Sequence, residues 1–183
     1  EMCGRDWSSD VCSSDLFTVY SNHCIESVDL SALSQPIMYA GPSGSPGINY
    51  KDHHIHDARI THPTGILSLG GNIIYFTTFG QNRVYMINSL TDQVSTLSTG
   101  LPCARMLTYD PHHNALLVGV NYGIMRVDIS DGSVVWFSGS QHNGSELNDF
   151  HSAGFLSPVG TVVVSDTADR KSTRLNSSHV RTS

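Results

Sequence analysis

Short runs of apolar and β-branched residues, each bounded by turn residues, recur along this chain in one pattern. Three runs end in a hydrophobic residue followed by Asp or Asn: Ile25–Asp29, Val84–Asn88 and Ile124–Asp128. Each leads on to a glycine, at Gly41, Gly100 and Gly139. The equivalent positions Val28, Ile87 and Val127 lie 59 and 40 residues apart. A repeat of about 40 residues that contains only short strands is typical of propeller blades.

The turn residues divide each unit into strands. The middle unit predicts four strands, at Ile66–Leu69, Ile73–Thr78, Val84–Asn88 and Val94–Ser98. The next unit repeats them, at Arg105–Tyr109, Leu116–Val120, Ile124–Ile129 and Val134–Ser138. An earlier unit supplies Phe17–Tyr20, Cys24–Asp29 and Ile37–Ala40, and a later one supplies Phe155–Leu156 and Thr161–Ser165. We therefore predict an all-β partial propeller of about three four-stranded antiparallel blades, at residues 17–41, 66–100 and 105–139, with a partial blade at 154–168.

The two ends of the chain differ from the repeating part. Residues 6–16 and 169–179 can be encoded by one DNA sequence and its reverse complement, respectively, and they resemble a translated sequencing-library adapter. We expect residues 1–16 and 169–183 to be non-native flanks and residues 17–168 to be a fragment of the propeller.

Charge and hydropathy restrict the partners. The flanks carry five basic and five acidic residues, so residues 17–168 keep five Lys and Arg against eleven Asp and Glu, and the net charge stays at −6. An acidic chain with no basic cluster argues against a nucleic-acid partner. No run of 18 apolar residues occurs, so no membrane insertion is expected in this segment. Cys24 and Cys103 remain after the flanks are removed, and we interpret them as small buried hydrophobic residues and not as a redox pair.

With the blades assigned, the chain resembles the NHL-repeat family. The matching residues are His62–Ile66 before the first strand, Asn82–Ile87 around the third, Val94–Gly100 at the blade end, and Val162–Ala168 in the next repeat. The resemblance implies a six-bladed propeller that serves as a binding scaffold for proteins or glycans. Lactonase-type propellers share the same pattern of strands and turns. The resemblance therefore leaves open an enzyme of lactonase or lyase type with a metal in its channel.

Two connectors between blades, 41–65 and 139–154, are punctuated by glycine as in extracellular members of the family. They favour an extracellular or ectodomain location. Asn143-Gly144-Ser145 is an N-glycosylation sequon in the second connector and would be used only in a secreted protein.

Histidines of the first connector are the candidate metal ligands. Alternation along an extended segment would place His54 and His56 on one face and His53 on the other. Imidazoles at this spacing suit zinc or copper. The alternative is a polar loop that happens to be rich in histidine. No cofactor is predicted.

The first strand of each blade should line the channel. These strands offer Ser68, Arg105, Thr108 and Tyr109, and no carboxylate. Hard cations require several oxygen ligands, so these residues favour a binding role over catalysis. Asp29, Asn88 and Asp128, at the ends of the third strands, are expected to accept hydrogen bonds from the turns that follow them.

Overall fold

The computed structural model describes residues 15–29, 34–41, 46–47, 53–139 and 158. Within them the chain forms strands and no helix, so no helix of the described residues could span a membrane. The strands in chain order are β1 (Asp15–Val19), β2 (Cys24–Val28), β3 (Ile37–Ala40), β4 (His53–His54), β5 (Pro63–Ser68), β6 (Ile73–Thr78), β7 (Arg83–Asn88), β8 (Gln93–Thr99), β9 (Leu107–Asp110), β10 (Ala115–Val120), β11 (Gly123–Asp128) and β12 (Val134–Gly139).

These strands form three separate antiparallel sheets. The first sheet has the order β1-β2-β3, the second β4-β8-β7-β6-β5, and the third β12-β11-β10-β9. Apart from β4, each strand pairs with its neighbours in the chain, as in an up-and-down blade. The predicted all-β fold with partial propeller blades is confirmed.

The second sheet packs both of its faces against a neighbouring sheet. Ile74 and Phe76 of β6 belong to a buried cluster that includes Ile25 and Ala40 of the first sheet. Tyr75, which lies between them in the chain, belongs to a second cluster formed mainly with the third sheet. Side chains alternate between the faces of a strand, so β6 contributes to two cores. A fully buried side chain of this size stabilises the fold by about 1.5–3 kcal/mol.

Several strand ends differ from the sequence prediction. β5 begins at Pro63, three residues before the predicted Ile66, and its pairing with β6 shifts between these two residues. A first strand position suits proline, which has no N–H to donate. β9 begins at Leu107 and not at Arg105. β1 begins at Asp15, so it includes two residues of the predicted flank; Asp15 and Leu16 pair with Val28 and Ser27 through backbone groups.

The second sheet also contains a fifth strand that the sequence did not predict. β4 comes from the first connector and pairs with the outer strand β8. The next residue, Ile55, is buried; its N–H donates to the Asp92 carbonyl (2.9 Å), and its carbonyl accepts from the Gly41 N–H (2.8 Å). The edge of β8 offers unpaired backbone groups, and a buried isoleucine fixes the connector against them.

Threonine side chains of β1 and β6 link each sheet to the one that follows it in the chain. β5 contacts both β1 and β9. Thr18 Oγ1 of β1 donates to the Thr64 carbonyl of β5 (2.9 Å). At the equivalent place one sheet further on, Thr77 Oγ1 donates to the Arg105 carbonyl and accepts from the Gly65 N–H (2.8 Å). Hydrogen bonds thus cross both junctions between sheets.

We expect Thr77→Val to lower the free energy of unfolding of the chain by about 1–3 kcal/mol, since it leaves the buried Gly65 N–H without an acceptor and removes the nearer of two hydroxyl donors to the Arg105 carbonyl. Thr78→Val is the matched control, because Thr78 is equally buried and its hydroxyl has no hydrogen-bond partner among the described residues. That change should be neutral or stabilising. Urea denaturation of both variants provides the measurement, and equal destabilisation would contradict the role given to Thr77.

Candidate functional site

Antiparallel pairing gathers several polar and aromatic residues at one end of the inner strands. Pro63 pairs with Thr78, so the residue before β5, His62, lies beside the residue after β6, Phe79. The Phe79 N–H donates to the His62 carbonyl (2.9 Å). Tyr20 and Phe79 occupy equivalent positions in their sheets. Tyr20 comes directly after β1, whose last residue pairs with the first residue of β2, and Phe79 comes directly after β6, whose last residue pairs with the first residue of β7.

These residues form a continuous row that also reaches the third sheet. The Tyr20 ring stacks on His62, with centroids 4.5 Å apart and planes inclined by 25°. Its centroid lies 6.3 Å from that of Phe79 in an edge-on arrangement. The Arg105 guanidinium lies over the Phe79 ring, 5.2 Å from the centroid. We call Tyr20, His62, Phe79 and Arg105 the aromatic rim.

The rim is open to solvent. Tyr20 is 47 % exposed, and the other three residues are partly exposed. Aromatic rings with one face packed and one face in water are found where proteins bind partners. The cation–π contact holds the Arg105 guanidinium against Phe79 while its edge can still donate hydrogen bonds.

Arg105 has one guanidinium nitrogen without a hydrogen-bond partner in the part of the chain that the structure describes. Its Nε is buried and has no hydrogen-bond acceptor among the described residues. Arg105 forms no ion pair with another described residue. An unsatisfied buried donor costs about 1–3 kcal/mol, and more when it is charged. The rim therefore presents a cation that favours an incoming acceptor.

Behind the rim, His23 supports His62. The His62 N–H donates to Nδ1 of His23 (3.1 Å), and the ring centroids lie 4.5 Å apart. Both residues have positive φ, 59° and 52°. Burial lowers the pKa of His23, and the neighbouring charge of His62 lowers it further.

No protein-family model matches the chain, and no curated protein matches it. Among solved structures, the chain is similar to hydrazine synthase of Kuenenia stuttgartiensis, with 11 % identity and a TM-score of 0.51 over 73 % of this chain and 34 % of that one. It is also similar to two Bacteroides thetaiotaomicron proteins, an auxiliary nutrient binding protein (13 % identity, TM-score 0.49, 59 % and 32 % covered) and a putative phosphatase (17 %, 0.43, 58 % and 30 %).

The chain spans about a third of the length of these proteins. At 11 % identity, the similarity to hydrazine synthase concerns the fold alone, and it agrees with the all-β architecture described above.

The predicted metal ligands lie on and directly after β4, at the opposite edge of the second sheet from β5. His54 and His56 are both exposed, and their ring centroids are 5.3 Å apart, as the predicted shared face requires. Nδ1 of His54 accepts from the His56 N–H at 3.4 Å. The described residues contain no group of three His, Cys, Asp or Glu side chains placed to hold a metal ion. Metal binding by this pair stays a prediction.

Of the predicted channel residues, only Arg105 belongs to the rim. Ser68 and Tyr109 lie near the opposite ends of their strands, where Ser68 Oγ accepts from the Gly70 N–H (3.3 Å) and Tyr109 OH donates to Asn114 Oδ1 (3.0 Å). Thr108 lies between Arg105 and Tyr109 on β9. Gly154–Leu156 and the sequon residue Asn143 fall outside the described residues.

The predicted capping of turns is confirmed at two positions. Asn88 Oδ1 accepts from the Leu90 N–H (3.0 Å), and Asp128 Oδ1 accepts from the Ser130 N–H (2.8 Å). These side chains hold turns at the end of β7 and β11, so they are engaged in local structure.

Sequence reasoning missed Tyr20 and Phe79, and it did not place His62 beside them. The signal that could have found them is positional: Tyr20 and Phe79 each follow the second strand of their unit, and His62 precedes a first strand. Aligning the units by these strands places all three at one end of the sheets.

Both cysteines of the repeating part are free. Cys24 is completely buried, and its Sγ donates to Glu26 Oε1 (3.7 Å). Burial, with the charge of Glu26 and this hydrogen bond, raises the pKa of the Cys24 thiol to about 11. Cys103 is partly exposed. The prediction of a buried cysteine is confirmed for Cys24 and is wrong for Cys103.

In a chain with Cys3 and Cys12 replaced by serine, we expect iodoacetamide at pH 8 to alkylate Cys103 at least about a hundredfold faster than Cys24, because the thiolate is the nucleophile and Cys24 holds its proton. Mass spectrometry of the two peptides over time gives the rates. In guanidinium chloride the rates should converge. Equal rates in the native chain would show that Cys24 is not buried in this way.

Proposed function

We propose that the chain is part of a six-bladed, NHL-like propeller that acts as a binding scaffold, and that its ligand is a protein bound at the aromatic rim. The observation that carries this proposal is the placement of a half-exposed tyrosine, a phenylalanine and an arginine with no ion pair among the described residues where the inner strands of three sheets meet. Loops and turns on a rigid stack of sheets are the usual binding surface of such scaffolds.

The residue types favour a protein ligand. Tyrosine and arginine are enriched among the residues that dominate the free energy of binding at protein interfaces. They combine rigid contact area with hydrogen-bonding ends, and a packed ring loses little conformational entropy on binding. A glycan is the other ligand class that the family resemblance allows.

The chemistry of Arg105 specifies part of the ligand. A carboxylate of an Asp or Glu side chain accepts two parallel hydrogen bonds from a guanidinium. Arg105 is partly exposed and has no ion-pair partner among the described residues, so a ligand carboxylate would meet no acidic competitor there. An apolar or aromatic neighbour of that carboxylate would fit against Tyr20. The ligand is therefore a segment with an acidic residue next to an apolar one.

The glycine-punctuated connectors support an extracellular or ectodomain location for this scaffold. The alternative is a propeller enzyme with a metal in its channel, which would need carboxylate ligands from the inner strands. Among the described residues, the inner strands supply no carboxylate at the rim. The binding role is accordingly the one that the described residues support best.

We expect phage selection of a random peptide library on the immobilised 183-residue chain to enrich sequences with Asp or Glu beside an apolar residue. Arg105→Gln should weaken binding of a selected synthetic peptide by at least about tenfold, since hydrogen bonds to charged groups contribute about 1.5–3 kcal/mol. Fluorescence anisotropy with the labelled peptide measures the change.

Arg126→Gln is the matched control, because it removes the same charge from β11, away from the rim, and should change the affinity less than about twofold. Peptides that bind Arg105→Gln as well as the unchanged chain would overturn the site. If the unchanged chain binds glycans on an array and enriches no peptide, the ligand is a glycan and not a protein.

A further inference from the structure

One of the hydrogen bonds that cross each junction between successive sheets occurs in two chemical versions. At the first junction, Nδ1 of His23 accepts from the His62 N–H (3.1 Å). At the second, Oδ1 of Asn82 accepts from the Cys103 N–H (2.8 Å). We call these the junction hydrogen bonds.

The two bonds occupy equivalent places. His23 comes directly before β2, and Asn82 comes directly before β7; each of these strands follows the second strand of its unit. The φ angles of His23 and Asn82 are 59° and 56°. His62 and Cys103 each lead toward the first strand of the next unit, with φ of 52° and 53°. Matching backbone conformation on both sides indicates one repeated structural device, although the sequence separation is 39 residues in one case and 21 in the other.

The acceptors respond differently to acid. An amide oxygen accepts at every ordinary pH, whereas an imidazole nitrogen accepts only while it carries no proton. The donor here is a backbone N–H and cannot reverse its role. Protonation of Nδ1 would therefore place two N–H groups against each other.

We propose that the junction between the first and second sheets opens in acid through protonation of His23, while the Asn82 junction between the second and third sheets stays closed. This inference rests on the junction geometry and does not depend on the proposed ligand.

The surroundings of His23 strengthen the effect. Among the described residues, the titratable group that faces it from the neighbouring sheet is His62, and its electrostatic effect lowers the pKa of His23. Tyr20, on the same turn, stacks on His62, and Gly41, from a third segment, packs at the His23 carbonyl and carries no charge. No carboxylate of the described residues contributes to the shift of its pKa.

The direction of the pH dependence follows from linkage. Burial lowers the pKa of His23 in the folded chain, so folding favours its neutral form. Its contribution to stability is complete above the ordinary histidine pKa of about 6.5 and is lost as the pH falls through the lower folded value. Because Tyr20 rests on His62, the same change would also disturb the aromatic rim.

The test compares the His62 and Cys103 amides of the full chain by hydrogen exchange between pH 7.5 and 5.0, after correction for intrinsic exchange rates. We expect the protection of the His62 amide to fall at least about tenfold, and that of Cys103 to change less than about twofold. His23→Asn, which copies the second junction, should remove the fall. Asn82→His, which copies the first junction, should produce a fall at Cys103.

A protection of His62 that is independent of pH, or a fall that persists in His23→Asn, would overturn the proposal. A second measurement needs no variant: the ring ¹⁵N shifts of His23 should report an unprotonated Nδ1 at neutral pH and a pKa below the ordinary value. Titration of His23 at or above about 6.5 would likewise overturn it.

Discussion

Both faces of the second sheet are apolar, and the rest of the structure depends on this constraint. Neighbouring residues of β6 enter different cores, because Ile74 and Phe76 face the first sheet and Tyr75 faces the third. β7 repeats the division, with Ile87 in one cluster and Val84 in the other. A sheet of this kind exposes a large apolar surface unless a neighbour covers each side. The need to cover both faces explains why the sheets stack on one another around their inner strands.

Burial alone does not fix how two sheets are placed, since the hydrophobic effect has no direction. Directional contacts supply the alignment. Thr77 bonds to backbone groups of both the second sheet and the segment before β9, and Asn82 reaches the Cys103 N–H nearby. Apolar contact thus stabilises the stack, and a few polar contacts at the inner ends set the offset between sheets. The turns of the rim are held by these same polar contacts.

Much of the fold could be predicted from local sequence. β6 and β3 begin and end at the predicted residues, because β-branched and aromatic runs with sharp turn residues on each side leave one choice of strand. β4 could not be predicted. His53-His54 has no strand pattern of its own, and it becomes a strand through the free edge of β8 and the burial of Ile55.

The candidate site was predicted less well, for a physical reason. Arg105 was expected to line the channel, and it lies at the rim. Tyr20 and His62 are 42 residues apart in the chain and meet only through the stacking of two sheets. Local patterns report which residues form a strand, whereas a site made between sheets depends on how separate units are placed. The histidines of the connector were conspicuous in sequence, yet two exposed rings lie there without a third ligand in the described residues.

The most direct test of the alternating core is a methyl NOESY spectrum of the full chain with labelled Ile, Leu, Val and Ala methyl groups. The account predicts cross-peaks from Ile74 and Ile87 to methyl groups of the first sheet, including Ile25 or Ala40. It predicts cross-peaks from Val84 to methyl groups of the third sheet, such as those of Leu116 or Val118. Cross-peaks that join Ile74 and Val84 to the same neighbouring sheet would contradict it.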